Sequence, residues 1–158
     1  MSRLKELRSY INSELNQMKD EEERDAAFVH LYGVSLAAVI LAKKRGLDEE
    51  LAAMAAMLHD LYAYKNASYN DHAHKGAELA REILQKLDLT TEEETEIICS
   101  AIYHHDDKQS KDGPMDELLK DADVISHTMH DPTKPVKEKE RARYENIGME
   151  LGFCREEG

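Results

Sequence analysis

Seven glycines and three prolines are all the conformational punctuation in this chain of 158 residues. A turn-dense β protein needs far more, so the sequence points to long helices. The core has to be aliphatic and rich in alanine, because 41% of the residues are hydrophobic yet only two are Phe and none is Trp. The length suits one domain with a real core, since domains cluster at about 100–150 residues. No strand pattern, internal repeat or linker divides residues 1–158.

The formal charge of −12, from 21 basic and 33 acidic residues, argues against a nucleic-acid polymer or an anionic membrane as partner. The first 25 residues carry charges every few positions and resemble no signal peptide. No segment approaches the roughly 20 apolar residues of a membrane span. Cys99 and Cys154 lie far apart and form no CxxC pattern, so a reduced, cytoplasmic compartment is expected.

Apolar spacing and caps predict an all-α bundle of about seven helices. The first covers about 2–18, with Leu4, Leu7, Ile11, Leu15 and Met18 on one stripe, and the second covers about 22–44 before Gly46. The third runs from about Asp48 to Leu61, and residues 62–70, YAYKNASYN, read as a loop. Asn70 or Asp71 then caps a fourth helix to about Leu87. Thr90 or Thr91, with Glu93 or Glu94, resembles a capping box for a fifth, ending near His105. Pro114 opens a sixth through Met129, and a charged seventh covers about 135–151. The charged first and last helices are free to pack on the core or to mediate a homodimer.

All eight histidines fall between His30 and His130, and helix faces sort them. His30 shares a face with Val34, Ala37 and Leu41, and His59 with Ala52, Ala55 and Ala56; both look inward. Asp60 follows at the helix end, where a buried carboxylate needs a partner or a metal. His72 lies with Gly76, Leu79 and Ile83, whereas His74 lies on the polar face of Glu78, Arg81 and Gln85. His105 lies with Ile98, Ala101 and Ile102, only slightly more apolar than the surroundings of His104. Periodicity does not separate Asp121 from Asp123. Mixed imidazole and carboxylate donors, without a thiolate set, suit one or two divalent ions such as Fe, Mn, Zn, Ni or Mg. Packed helices can project such donors to a shared centre.

The order of these residues resembles the HD-domain superfamily of metal-dependent phosphohydrolases over about residues 26–130. The likeness rests on His30, the AAMLHD run ending in His59-Asp60, the HAHKGAEL start that selects His72, the AIYHHDD pair of His104 and His105, and Asp123 in DAD. It departs from the cyclic-dinucleotide members in lacking a GYP element, and Ala63 stands in LYAYK where similar small hydrolases often carry an acid.

The resemblance implies that His30, His59, Asp60 and Asp123 hold one metal and that His72 with His105 or His104 holds a second, with Asp60 bridging. Such a pair activates water for hydrolysis of a small phosphorylated substrate, in the range of phosphate esters and nucleotides. Lys65 is the first candidate for a phosphate contact, with Lys108 and Lys111 weaker ones. His127 is positioned to reach the pocket or to support Asp123, and Tyr62, Tyr64 and Tyr69 are available to stack on a base. His130 reads as a cation at a helix end. The alternative from another class is a non-catalytic module that binds metal and nucleotide as a sensor.

Overall fold

The structure, a computed structural model, describes residues 1–154 and contains eight helices with no strand among them. They are α1 (Arg3–Leu15), α2 (Glu21–Arg45), α3 (Glu49–Leu58), α4 (Leu61–Asn66), α5 (His72–Leu87), α6 (Glu92–His104), α7 (Pro114–Met129) and α8 (Glu138–Leu151). The side chains of Ser2, Asp20, Asp48 and Thr91 each accept a backbone N–H of the first turn they precede. Thr91 and Glu94 form the full capping box, which settles that pair of alternatives. Gly46 ends α2 in the left-handed region at φ 67°, where a side chain would be strained.

Two sequence expectations change here. The third helix does not run to Leu61: it stops at Leu58, and Asp60, at φ −113° and ψ 5°, turns the chain. The stretch expected as loop is partly helical, because Leu61–Asn66 coil into α4, whose Leu61 and Ala63 are buried. Packing against the core supplies what propensity alone does not for so short a segment. Asp71 stands at the start of α5, but its carboxylate makes no cap and pairs with His74 instead.

The core centres on α3, in which every residue from Leu51 to Leu58 is buried. Four of those eight are alanines, so α2, α6 and α7 can all approach closely. Buried Leu7, Ile11 and Leu15 seal α1 onto this centre. By length and apolarity alone α2 would suffice to cross a membrane, contrary to the sequence expectation that no segment would. Eight of its residues are instead buried inside the bundle.

Charge networks then fix the last helix. Arg45 of α2 reaches Asp121 of α7 at 2.6 Å and Glu150 of α8 at 2.7 Å. Arg143 of α8 donates to Asp121, Glu117 and the Lys108 carbonyl, and Lys120, with no exposed surface, holds Asp112, Glu117 and the Ser110 carbonyl. The loop between α6 and α7 is thereby clamped from two sides.

Because α3 is close-packed on all faces, enlarging it is costly: Ala52→Leu should destabilise the protein by about 1–3 kcal/mol. Urea unfolding checks this, and an unchanged midpoint would show that the helices around α3 are loosely packed.

Candidate metal centre

Four of the candidate residues sit at helix ends. His59 closes α3, Asp60 lies between α3 and α4, His72 opens α5 and His105 closes α6. Helix ends leave backbone carbonyls without intrahelical partners, and the imidazoles use carbonyls near these ends. His59 Nδ1 donates to the Ala56 carbonyl at 2.6 Å, His105 Nδ1 to that of Ile102 at 2.6 Å and His72 Nδ1 to that of Tyr69 at 3.0 Å. A carbonyl only accepts, so each Nδ1 carries the proton and each Nε2 points into the bundle as the other ring nitrogen.

His30 and Asp123 come from the middles of α2 and α7. Gly33 lets α7 close on α2: a Cβ there would lie 3.3 Å from Ser126 Oγ. That hydroxyl is within hydrogen-bond distance of His30 Nδ1, at 3.3 Å.

The inward atoms form two clusters that share one side chain. His30 Nε2, His59 Nε2, Asp60 Oδ2 and Asp123 Oδ1 converge, as do Asp60 Oδ1, His72 Nε2 and His105 Nε2. In the first, Asp60 Oδ2 lies 3.0 Å from His30 and 3.2 Å from His59, and Asp123 Oδ1 lies 3.2 and 3.4 Å from the same nitrogens. In the second, Asp60 Oδ1 lies 3.3 Å from His72 and 3.2 Å from His105.

These donors fit a divalent ion. Ligand atoms about 2.1 Å from one centre lie roughly 3.0–3.4 Å from each other. His30 Nε2 and His59 Nε2 face each other at 3.1 Å, and Asp123 Oδ1 is buried yet accepts no hydrogen bond. Converging lone pairs without a donor between them call for a cation.

Without an ion, protons supply the charge. Burial opposes protonation of His59, but the adjoining Asp60 and Asp123 carboxylates outweigh it and push the imidazole from 6.5 up to about 10. His30 is raised despite its burial, through Asp123 and Asp60, and His72 is raised chiefly by Asp60. Burial alone would raise Asp60 and Asp123, yet His59 beside the first and Lys108 beside the second hold both well below the usual carboxylate range.

Above the clusters opens a pocket of about 290 Å³. Lys108 lines it, with Nζ 2.8 Å from Asp123 Oδ2 and 2.6 Å from the His105 carbonyl, and Lys137 and Lys139 line it from α8 and the residue preceding it. His127 stacks on His30 with centroids 5.2 Å apart and planes at 10°. Its Nδ1 lies 3.0 Å from Glu140 Oε1 and its Nε2 3.5 Å from Asp123 Oδ1. Tyr64 and Tyr69 form another wall. Burial pushes the Tyr64 phenol upward, as do Asp60 and the hydrogen-bonded Tyr69, so it stays neutral.

Set against the sequence expectations, His30, His59, Asp60, His72, His105 and Asp123 are brought together. His104 is not: its Nδ1 returns to the Ser100 carbonyl and the ring lies on another surface, 3.6 Å from Asp116. Lys65 also points elsewhere, because at the end of α4 it pairs with Glu14 of α1 at 3.2 Å. Of the two weaker lysine candidates, Lys108 lines the pocket, while Lys111 lines a separate hollow with Glu117 and Arg143. Tyr62 turns to Lys75 rather than to the pocket. Asp121 is consumed by Arg45 and Arg143, which separates it from Asp123. His74 stays on the polar face against Tyr103 and His130 ends α7. Sequence reasoning missed Lys137, Lys139 and Glu140, which carry no local signal inside a charged run; only the clamped α8 delivers them.

The family model for the HD domain matches residues 27–128 of the chain. Among solved structures, the crystal structure of a predicted HD superfamily hydrolase from an uncultured Thermotogales bacterium is similar, with 20% identity and a TM-score of 0.61 over 92% of this chain and 87% of that one. Comparison with curated proteins finds no match.

The raised imidazoles fix a pH dependence. Stability contributed by protonated His59 is fully present below about 6.5 and is lost as pH rises through about 10. That of the depressed carboxylates is present at neutral pH and is lost as acid titrates them. A metal displaces the imidazole protons, so the gain in Tm on adding Mn²⁺ over chelator should grow between pH 6.5 and 10. A gain that is constant with pH would show that the added ion binds elsewhere.

Proposed function

Because the chain belongs to the HD-domain family, whose model covers well over half of it, we propose that it is a metal-dependent phosphohydrolase acting on a small phosphate ester or nucleotide. The observation that carries this reading is the Asp60 carboxylate, whose two oxygens face two separate donor clusters beneath one open pocket. His30, His59, Asp60 and Asp123 would hold one ion, and Asp60, His72 and His105 a second. Two divalent ions supply Lewis acidity toward phosphoryl oxygens and make water a nucleophile near neutral pH.

The chain's own residues supply the rest. Asp60 fixes the spacing of the two clusters through a single rigid group. Lys108, Lys137 and Lys139 gather positive charge at the mouth of the pocket in a chain whose formal charge is −12, which favours a phosphate-bearing ligand there. Lys108 makes the phosphate contact that the sequence suggested for Lys65. Glu140 is held in its ionised form against the cost of burial by His127 and Lys108. It fixes the His127 ring with Nε2 toward the pocket, as second-sphere carboxylates orient imidazoles. When the bond from phosphorus to the leaving oxygen breaks, that oxygen takes the electron pair, and His127 Nε2, which faces the pocket, is placed to deliver a proton to it. Tyr64 and Tyr69 offer apolar faces to whatever the phosphate is attached to.

The test is a panel of phosphomonoesters, phosphodiesters and nucleotides assayed with Fe²⁺, Mn²⁺, Zn²⁺, Ni²⁺ and Mg²⁺. His59→Ala and Asp60→Ala should lose bound metal and turnover together. Metal binding with no turnover of any compound would replace this reading with that of a sensor module. His127→Gln should lower kcat by about 10²–10⁴ for esters with poor leaving groups and much less for p-nitrophenyl phosphate, whose leaving group needs no proton. Equal losses on both would remove the proton-donor role.

A further inference from the structure

Helix α2 is apolar on more sides than the bundle covers. Leu31, Val34, Ala38, Leu41 and Ala42 are buried inside. On the opposite side Val29, Leu36 and Ile40 remain 52%, 65% and 49% exposed. Steps of seven and four residues place these three on a single line along the helix. No other helix among the described residues aligns three large exposed apolar side chains. A helix apolar all round is expected to be covered all round.

The same line continues into charge at both ends. Glu22 and Asp25 precede Val29 by seven and four residues, and Lys43 follows Leu36 by seven. The strip therefore runs from acidic through apolar to basic, and Asp25 and Lys43 lie equally far from Val34 along the helix. We propose that this strip is the interface of a homodimer in which α2 of two copies pairs antiparallel about a twofold axis level with Val34. Such an interface is self-complementary: Asp25 of each copy meets the partner's Lys43 while Val29, Leu36 and Ile40 close the middle. Parallel pairing would oppose like charges, Asp25 to Asp25. Lys43 now pairs with Glu49 at 2.9 Å, but both are largely exposed, and so weak a pair can exchange.

A lipid surface is the poorer occupant. Glu22 and Asp25 flank the strip, the chain carries −12, and the buried face of α2 cannot leave the bundle without withdrawing His30 from its cluster. The sequence left α1 and α8 free to pack on the core or to mediate a homodimer; the proposal places the contact on α2 instead.

The experiment is sedimentation of the full chain and of variants, with metal content and phosphatase activity measured in parallel. Wild type should be a dimer. Leu36→Glu with Ile40→Glu should be a monomer with unchanged helicity and metal content, whereas Ile97→Glu, an exposed apolar residue on α6, should stay dimeric. Asp25→Lys should weaken the dimer by about tenfold or more, and adding Lys43→Glu should restore it. A monomeric wild type, a dimer indifferent to Leu36→Glu, or a charge swap that fails to rescue would each overturn the pairing. Wild type that is monomeric and co-sediments with phosphatidylcholine vesicles through Leu36 would assign the strip to lipid. None of these outcomes depends on whether the protein turns over a phosphate ester.

Discussion

One carboxylate organises the centre. Asp60 lies where α3 gives way to α4, and its two oxygens each face a set of imidazole nitrogens 3.0–3.3 Å away. Burying it and Asp123 side by side costs free energy that only nearby positive charge can offset. Much of the bundle supplies that charge: the raised imidazoles of His30 from α2, His59 from α3 and His72 from α5, with Lys108 beside Asp123 from the loop after α6. The break at Asp60 thus shortens α3, makes α4 a separate helix and aims the carboxylate into the bundle.

The groups around this point form two layers of differing chemistry. The imidazoles of His59, His72 and His105 are tied through Nδ1 to backbone carbonyls, and that of His30 adjoins a serine hydroxyl, which leaves Nε2 facing the centre. Among the rings at this centre, His127 is the one whose Nδ1 meets a carboxylate, that of Glu140. Similar rings packed within a few ångströms thereby differ in what anchors them: backbone carbonyls or a hydroxyl for four of them, a carboxylate for His127. Lys108, Lys137 and Lys139 line the pocket above both sets of rings.

The sequence was most legible where periodicity and chemistry coincide. The faces of His30, His72 and His105 follow from apolar neighbours three and four residues away, and the caps at Asp48 and Thr91, with Pro114 in the first turn of α7, place their helices closely. It was least legible where the outcome depends on tertiary contacts. Lys65 and Lys108 each follow a buried site residue within a few positions, yet Glu14 captures the first and Asp123 the second. Periodicity does not cleanly separate Asp121, with Leu118 and Ile125, from Asp123, with Leu119, Ser126 and His127; the arginines of α2 and α8 take the first. Glu140 reads as one more charge in KEKERARYE, although it is almost wholly buried.

The carbonyl anchors have an evolutionary consequence. Ala56, Tyr69 and Ile102 hold three imidazoles through main-chain oxygens that every amino acid possesses. The aim of those rings therefore does not depend on which side chains these positions carry, only on where the helix ends fall. A lineage can exchange the residues lining its pocket, and with them the molecules it admits, while the same donors keep their orientation. Drift becomes dangerous only when an insertion, a proline or a lost cap moves a helix terminus by a residue.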